Sequence, residues 1–238
     1  MVNYVKGIND VLSGFGLIFQ PGIRRYVIVP LLINTVLFAG AIYLLSAQMD
    51  SWMQKLLPDW LSWLEWLIWP LFAITLLFIV FFTFTLVANL ISAPFNSYLS
   101  ASVEYKLTGA RPENLVSEPV WKTVVRTVGA EISKTVYFLL WLIPLALLTI
   151  IPVINVAAPF AWFLFAAWSF SIEYMDSPLG NRGMLFREVR EYNRDNRMRS
   201  LGLGTGVFLM TTVPVLNFLA MPVAVCAATK MTTRLSAQ

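Results

Sequence analysis

Charge is absent from four long stretches of this chain, and those stretches organise everything else. They run from Tyr26 to Met49, Trp66 to Val103, Thr135 to Ile172, and Ser200 to Thr229. A helix crossing a bilayer core of about 30 Å needs about 20 apolar residues at roughly 1.5 Å rise each. The first stretch fits one crossing. The second exceeds one, so its helix is predicted to continue into the cytoplasm past Pro94. The other two are interrupted by Pro144, Pro152 and Pro159, and by Pro214 and Pro222. Cut at these prolines they give halves of about 16 and about 12 residues, roughly 24 and 18 Å long. Such paired short helices read as re-entrant hairpins, with irregular tips covered by protein or lining a cavity.

The two interrupted stretches resemble each other. Ile151-Pro152-Val153-Ile154-Asn155, followed by Pro159, matches Val213-Pro214-Val215-Leu216-Asn217, followed by Pro222, as an imperfect internal repeat. Corresponding Pro-interrupted segments point to a transport path, although two apolar turns could also converge on this composition. Val5, Ile8, Leu12, Phe15 and Phe19 alternate at steps of three and four, predicting an interfacial helix over 1–20 that stops at Pro21-Gly22. Trp60, Trp63, Trp66 and Trp69 crowd the outer end of the second span, as an aromatic belt would.

Charge bias sets the sidedness. Only Lys55 lies between the first two stretches, beside Asp50, Asp59 and Glu65, which places residues 50–65 outside. Four single crossings would strand Arg182, Arg187, Arg190, Arg194, Arg197 and Arg199 outside; hairpins that return to the cytoplasm remove the conflict. The predicted fold is therefore an all-α integral membrane protein forming a single membrane domain over 1–238. It has two full transmembrane helices (26–49 and 66–103), two re-entrant hairpins (135–172 and 200–229), a cytoplasmic helix over 181–199, and cytoplasmic N- and C-termini. Two spans enclose little, so a homo-oligomer embedded in membrane lipid is expected.

Composition narrows the chemistry. Of 238 residues, 58% are hydrophobic and only 13% charged, about half the charge of a soluble domain. With no His, imidazole metal sites and His-based acid–base catalysis are impossible. Cys226 is the single cysteine, and no P-loop occurs, so ATP hydrolysis by that route is excluded. Residues 1–20 lack a basic n-region and a small-residue cleavage site and do not read as a signal peptide. Neither a metal, a cofactor nor nucleic acid is expected as a partner.

Four groups of residues could carry function. Pro21-Gly22-Ile23-Arg24-Arg25 opens the first span, where helix N–H groups and two guanidinium forks suit an oxyanion. The same arginines could instead snorkel to headgroups. Arg187, Arg190, Arg194 and Arg197 form a helical stripe beside Glu188, Glu191 and Asp195, which favours a salt-bridged helix over an anion-binding surface. Gly202-Leu203-Gly204-Thr205-Gly206 has no preceding strand and reads as close helix packing or an anion nest rather than a nucleotide loop. Asn34, Asn89, Asn96, Asn155 and Asn217 lie at membrane depth and either glue helices or line a wet path. Glu104, at the end of the second stretch, either influences an anion electrostatically or is simply solvated.

Several ordered motifs carry a resemblance. Pro21-Gly22-Ile23-Arg24-Arg25, Ala93-Pro94-Phe95-Asn96, Leu107-Thr108-Gly109-Ala110 and Met221-Pro222-Val223-Ala224-Val225-Cys226 resemble the CysZ sulfate permease family. Trp162-Phe163-Leu164-Phe165 and Glu173-Tyr174-Met175-Asp176 extend the match over nearly the whole chain. The resemblance implies a non-enzymatic protein of the bacterial inner membrane that imports sulfate for cysteine biosynthesis, within a broader family that includes eukaryotic membrane proteins of other roles. It also implies that Gly22, Ile23, Arg24 and Arg25 hold the sulfate ion. Asn34, Asn89, Asn96 and Glu104 are the expected pathway residues. The alternative is a non-transporting scaffold or accessory subunit.

Overall fold

The computed structural model describes residues 2–56, 65–110 and 120–236, with the side chains of 49–50, 53–56, 65, 79–94, 120–128, 130 and 236 left undescribed. Among the described residues every regular element is helical: α1 (Val2–Ile18), α2 (Arg25–Leu56), α3 (Glu65–Thr108), α4 (Val120–Ile150), a 3₁₀ turn (Ile154–Ala157), α5 (Ala158–Gly180), α6 (Phe186–Asp195), α7 (Arg197–Thr211) and α8 (Pro214–Ser236). The chain divides into two units, residues 25–95 and residues 1–24 with 96–238.

In the smaller unit, α2 has 32 residues, about 48 Å of helix, and Pro30 sits inside it. The loop assigned to the outside, 50–65, lies largely beyond the described residues, as do Trp60 and Trp63; Trp66 and Trp69 are exposed. The single helix α3 has 44 residues, about 66 Å, and so overruns a 30 Å core as its uncharged length requires.

The larger unit is built on glycine. Gly202 and Gly206, one turn apart on α7, press against α1: a side chain at Gly202 would overlap the carbonyl of Tyr4, and one at Gly206 would meet Val11. Gly204, on the opposite side of the same helix, abuts the carbonyl of Ala167 in α5. Gly7 and Gly14 of α1 return the fit, against Arg199 and Val223 respectively. Backbones this close gain dispersion contacts that larger residues would forbid. The glycine run is therefore a three-helix packing device, as the absence of a preceding strand implies.

The same packing inverts α1. Its buried face is Gly7, Asp10, Val11, Gly14, Leu17 and Ile18, while Val5, Leu12 and Phe19 of the apolar stripe are exposed. A helix that hides glycine and aspartate and shows leucine and phenylalanine is ordered for an apolar surround, not for water.

Both interrupted stretches fold as helix–turn–helix pairs. In the first, Val153 takes φ 74° just after Pro152, the 3₁₀ turn follows, and Pro159 opens α5. In the second, Pro214 is the first residue of α8. At each tip the asparagine N–H donates to the residue preceding proline: Asn155 to Ile151 at 3.1 Å and Asn217 to Val213 at 2.9 Å. The repeat is thus structural at the turn, then ends, because Asn155 continues as 3₁₀ and Asn217 as α-helix.

Helix lengths differ from the sequence reading. Pro222 lies inside α8, which runs 23 residues rather than stopping near 12, and Pro144 lies inside α4, which runs 31. An interior proline costs one hydrogen bond and kinks a helix, and packing or an apolar surround lets it continue. Four segments are consequently long and apolar enough to cross a membrane: Arg25–Gln48, Glu131–Ile150, Ile154–Gly180 and Pro214–Leu235. The cytoplasmic helix expected over 181–199 is split at Asn196 (φ −106°, ψ 27°), so that Arg197 and Arg199 belong to α7.

Candidate functional site

The turn Pro21–Arg24 is closed by its own backbone. Gln20 accepts hydrogen bonds from the N–H groups of Ile23 at 3.1 Å and Arg24 at 3.2 Å, and Gly22 sits at φ 88°, a conformation glycine adopts without a Cβ penalty. Ile23 is 1% exposed and anchors the turn into the larger unit. Its amide is engaged within the turn, so donors for a ligand here come from the arginines and from Gly22. Arg24 and Arg25 are both exposed. Arg25 donates from Nη2 to Tyr26 Oη at 2.9 Å and lies 4.7 Å from that ring's centroid, which fixes one guanidinium plane by hydrogen bond and cation–π contact. Among the described residues Arg24 has no ion-pair partner.

The expected pathway residues are distributed differently. Asn34 Oδ1, in the smaller unit, is buried without a hydrogen-bond partner. The side chain of Asn89 lies outside the described residues, and Asn96 is half-buried at the start of the larger unit's share of α3. Asn155 and Asn217 occupy the two exposed hairpin tips. Glu104 is neither free nor solvated: its Oε1 accepts a hydrogen bond from Arg182 Nη2 at 2.9 Å, and its Oε2 is buried without a donor. Asn181, next to Arg182, donates to the Ser97 carbonyl at 2.8 Å and ties the end of α5 to α3.

The arginine stripe is less salt-bridged than its spacing suggests. Arg187 pairs with Glu191 at 3.0 Å, but Glu188 caps the Leu185 N–H at 2.7 Å, and Arg190 stacks over Tyr137. Arg194 and Arg197 are exposed without an acidic partner among the described residues.

Two ionic clasps were not singled out from the sequence. Lys134 of α4, nearly buried, is held by Glu131 at 2.8 Å and by Glu173 and Asp176 of α5 at 2.9 and 3.5 Å. Asp10 of α1 binds Arg199 of α7 at 2.7 Å, both side chains nine-tenths buried or more, with Arg234 of α8 at 3.8 Å. The signal was present: Lys134 and Glu173 are the charges that bound the third uncharged stretch, and Arg199 opens the boundary of the fourth. Charges flanking an apolar hairpin meet at its base, because the antiparallel helices bring the two ends together. Along the first hairpin the same antiparallel register places Trp168 on Tyr137 at 3.0 Å and Trp162 on Thr149 at 3.0 Å.

Helices alone among the described residues, four of them long and apolar enough to cross a membrane, define an α-helical membrane protein. The particular family follows from comparison. The family model described as sulfate transporter CysZ/etoposide-induced protein 2.4 matches residues 10–222, and the chain belongs to that family.

Proposed function

We propose that this protein carries sulfate across the bacterial inner membrane and supplies sulfur for cysteine biosynthesis. Family membership supports transport in general. The observation that carries the sulfate assignment is Arg24: an exposed guanidinium with no acidic partner among the described residues, beside a second one oriented by Tyr26, directly after a Gly22 turn. Two planar forks at one helix start suit a tetrahedral dianion better than two ammonium groups would. Gly22 and Ile23 shape the turn, and Arg24 and Arg25 supply the charge.

In this reading α2 and α3 span the bilayer, and the α4–α5 and α7–α8 pairs enter and return to the cytoplasmic side. Both termini are then cytoplasmic, and Asn34, Asn89, Asn96 and Glu104 border the path. The apolar stripe of α1 and the exposed faces of α2 meet lipid or other copies of the chain, so the transporter is a homo-oligomer. Transport needs no cofactor and no ATP hydrolysis by this chain. A dianion entering a negative interior works against about 4.6 kcal/mol at 100 mV, so consumption of sulfate or a compensating ion must drive uptake.

Labelled-sulfate flux into liposomes holding only this protein tests the reading. Flux above protein-free vesicles is expected, with sulfate binding weakened roughly 10- to 100-fold by replacing either arginine with Ala, and weakened also in Arg24→Lys/Arg25→Lys, which keeps the charge but not the planar fork. Wild-type sulfate affinity in that correctly inserted double variant would refute guanidinium recognition.

A further inference from the structure

The helices of the larger unit share one direction of insertion, and α1 follows it. Gly7 of α1 abuts Arg199 and Leu203 of α7, Val11 meets Gly206, and Gly14 abuts Val223 of α8, whereas Asp10 lies by Arg234. Advancing along α1 therefore means advancing along α7 and retreating along α8. The helix climbs beside the α7–α8 hairpin from its base, where Asp10, Arg199 and Arg234 meet, towards its tip. The first hairpin points the same way. Gly204 abuts Ala167 and Phe163 packs on Phe208 at 5.4 Å, so α5 runs antiparallel to α7 and both tips lie at one end.

Charge and exposure divide along this axis. No charged residue occurs between Asp10 and Arg24, between Arg199 and Lys230, or from Thr135 to Ile172. At the tip end Val153, Val156, Phe160, Val213, Val215 and Phe218 are exposed, as is Phe19 just past α1. The turn after Phe19 buries Ile23 in the same unit and leaves Arg24 exposed. It is compact, since Gln20 accepts from both Ile23 and Arg24. Asp10 to Ile18 is about 12 Å of helix, so Arg24 stands at least roughly one-third of a 30 Å core beyond the charged base. An exposed guanidinium at that level is costly in hydrocarbon, and such cations mark ion paths.

We propose that α1 is a membrane-inserted helix rather than an interfacial one, and that it carries the Gly22–Arg24 turn inside the hydrocarbon layer, where Arg24 meets sulfate in mid-passage. The proposal rests on the reading above for its ligand and for the cytoplasmic position of the hairpin bases. At that depth the dianion and the guanidinium offset each other's charge where lipid offers nothing to either. The length of α2, about 48 Å, exceeds a 30 Å core, so a start inside the layer leaves enough helix to reach the far side.

Spin labels on a Cys226→Ala background read the depth in liposomes holding the full chain. Lys6→Cys, Leu12→Cys and Phe19→Cys each replace an exposed residue and leave Arg24 intact. Collision with oxygen relative to a water-soluble nickel chelate should rise severalfold from position 6 to 12 and again to 19, over about 20 Å of chain. Equal ratios at the three positions put α1 flat in the interface and overturn the proposal. A falling ratio, or shielding of position 19 from both reagents by protein, overturns it equally. Labelled-sulfate binding to the same vesicles reads the ligand separately. A depth gradient with no sulfate bound supports the inserted turn and refutes the sulfate reading; sulfate binding with no gradient returns the site to the membrane surface and refutes the insertion.

Discussion

Replacing Asp10 by asparagine probes how this fold is clamped. The carboxylate accepts from Arg199 Nη2 at 2.7 Å and from Nε at 2.9 Å, with Arg234 at 3.8 Å, and only 3% of its side chain is exposed. Asparagine keeps the size and one acceptor oxygen but discards the charge, leaving a buried guanidinium without its counter-ion. Removing one partner of a buried pair costs about 3–5 kcal/mol, and the retained oxygen returns a fraction, so about 3 kcal/mol is expected. At roughly 2–4 °C per kcal/mol for a chain of this size, Asp10→Asn should lower the melting temperature by about 6–12 °C. Thermal unfolding in detergent, followed by tryptophan fluorescence, measures it. Asp10→Asn/Arg199→Met, which removes both charges, should recover at least half of the loss, because replacing a buried pair by apolar groups is nearly neutral. A single variant that melts within about 1 °C of wild type, or a double variant whose losses merely add, would refute the clamp.

Gly204→Ala should destabilise more than Gly16→Ala, since a Cβ at 204 collides with the Ala167 carbonyl while nothing lies near one at 16; the same melting assay reads the difference. Lys134→Met should loosen the base of the first hairpin and expose three unneutralised carboxylates, measured as faster proteolysis between α4 and α5. Cys226 is buried and should resist maleimide until the chain unfolds; early labelling would contradict the packing of α8. On a Cys226→Ala background, Lys106→Cys and Arg194→Cys should label only from the cytoplasmic side of intact cells. Efficient labelling of position 194 from outside would sink the returning-hairpin topology, provided fractional labelling at both sites excludes dual insertion.

The membrane class, the α-helical content and the positions of both hairpin turns were legible from the pattern of missing charge. Each follows from local rules: lipid forbids unpaired backbone groups, so apolar runs become helices, and proline ends or opens them. Helix ends were not legible, because charge marks where lipid stops being tolerated rather than where hydrogen bonding stops. Thus α8 continues through Pro222 to Ser236, and α7 starts at Arg197, before its uncharged run. The glycine run at 202–206 could be read as packing, but its partners could not: α1 lies nearly 200 residues away in sequence, and only the folded chain sets Tyr4 against Gly202 and Asp10 against Arg199. The apolar stripe on α1 was visible in the sequence, whereas the side that is buried was decided by tertiary structure, since glycine and aspartate gain more from close contact and ion pairing inside than leucine gains from leaving an apolar surround. Glu104 was visible as a lone carboxylate, and its pairing with Arg182 belongs to the fold, because an ion pair across 78 residues depends on which helix ends meet and no local spacing encodes that.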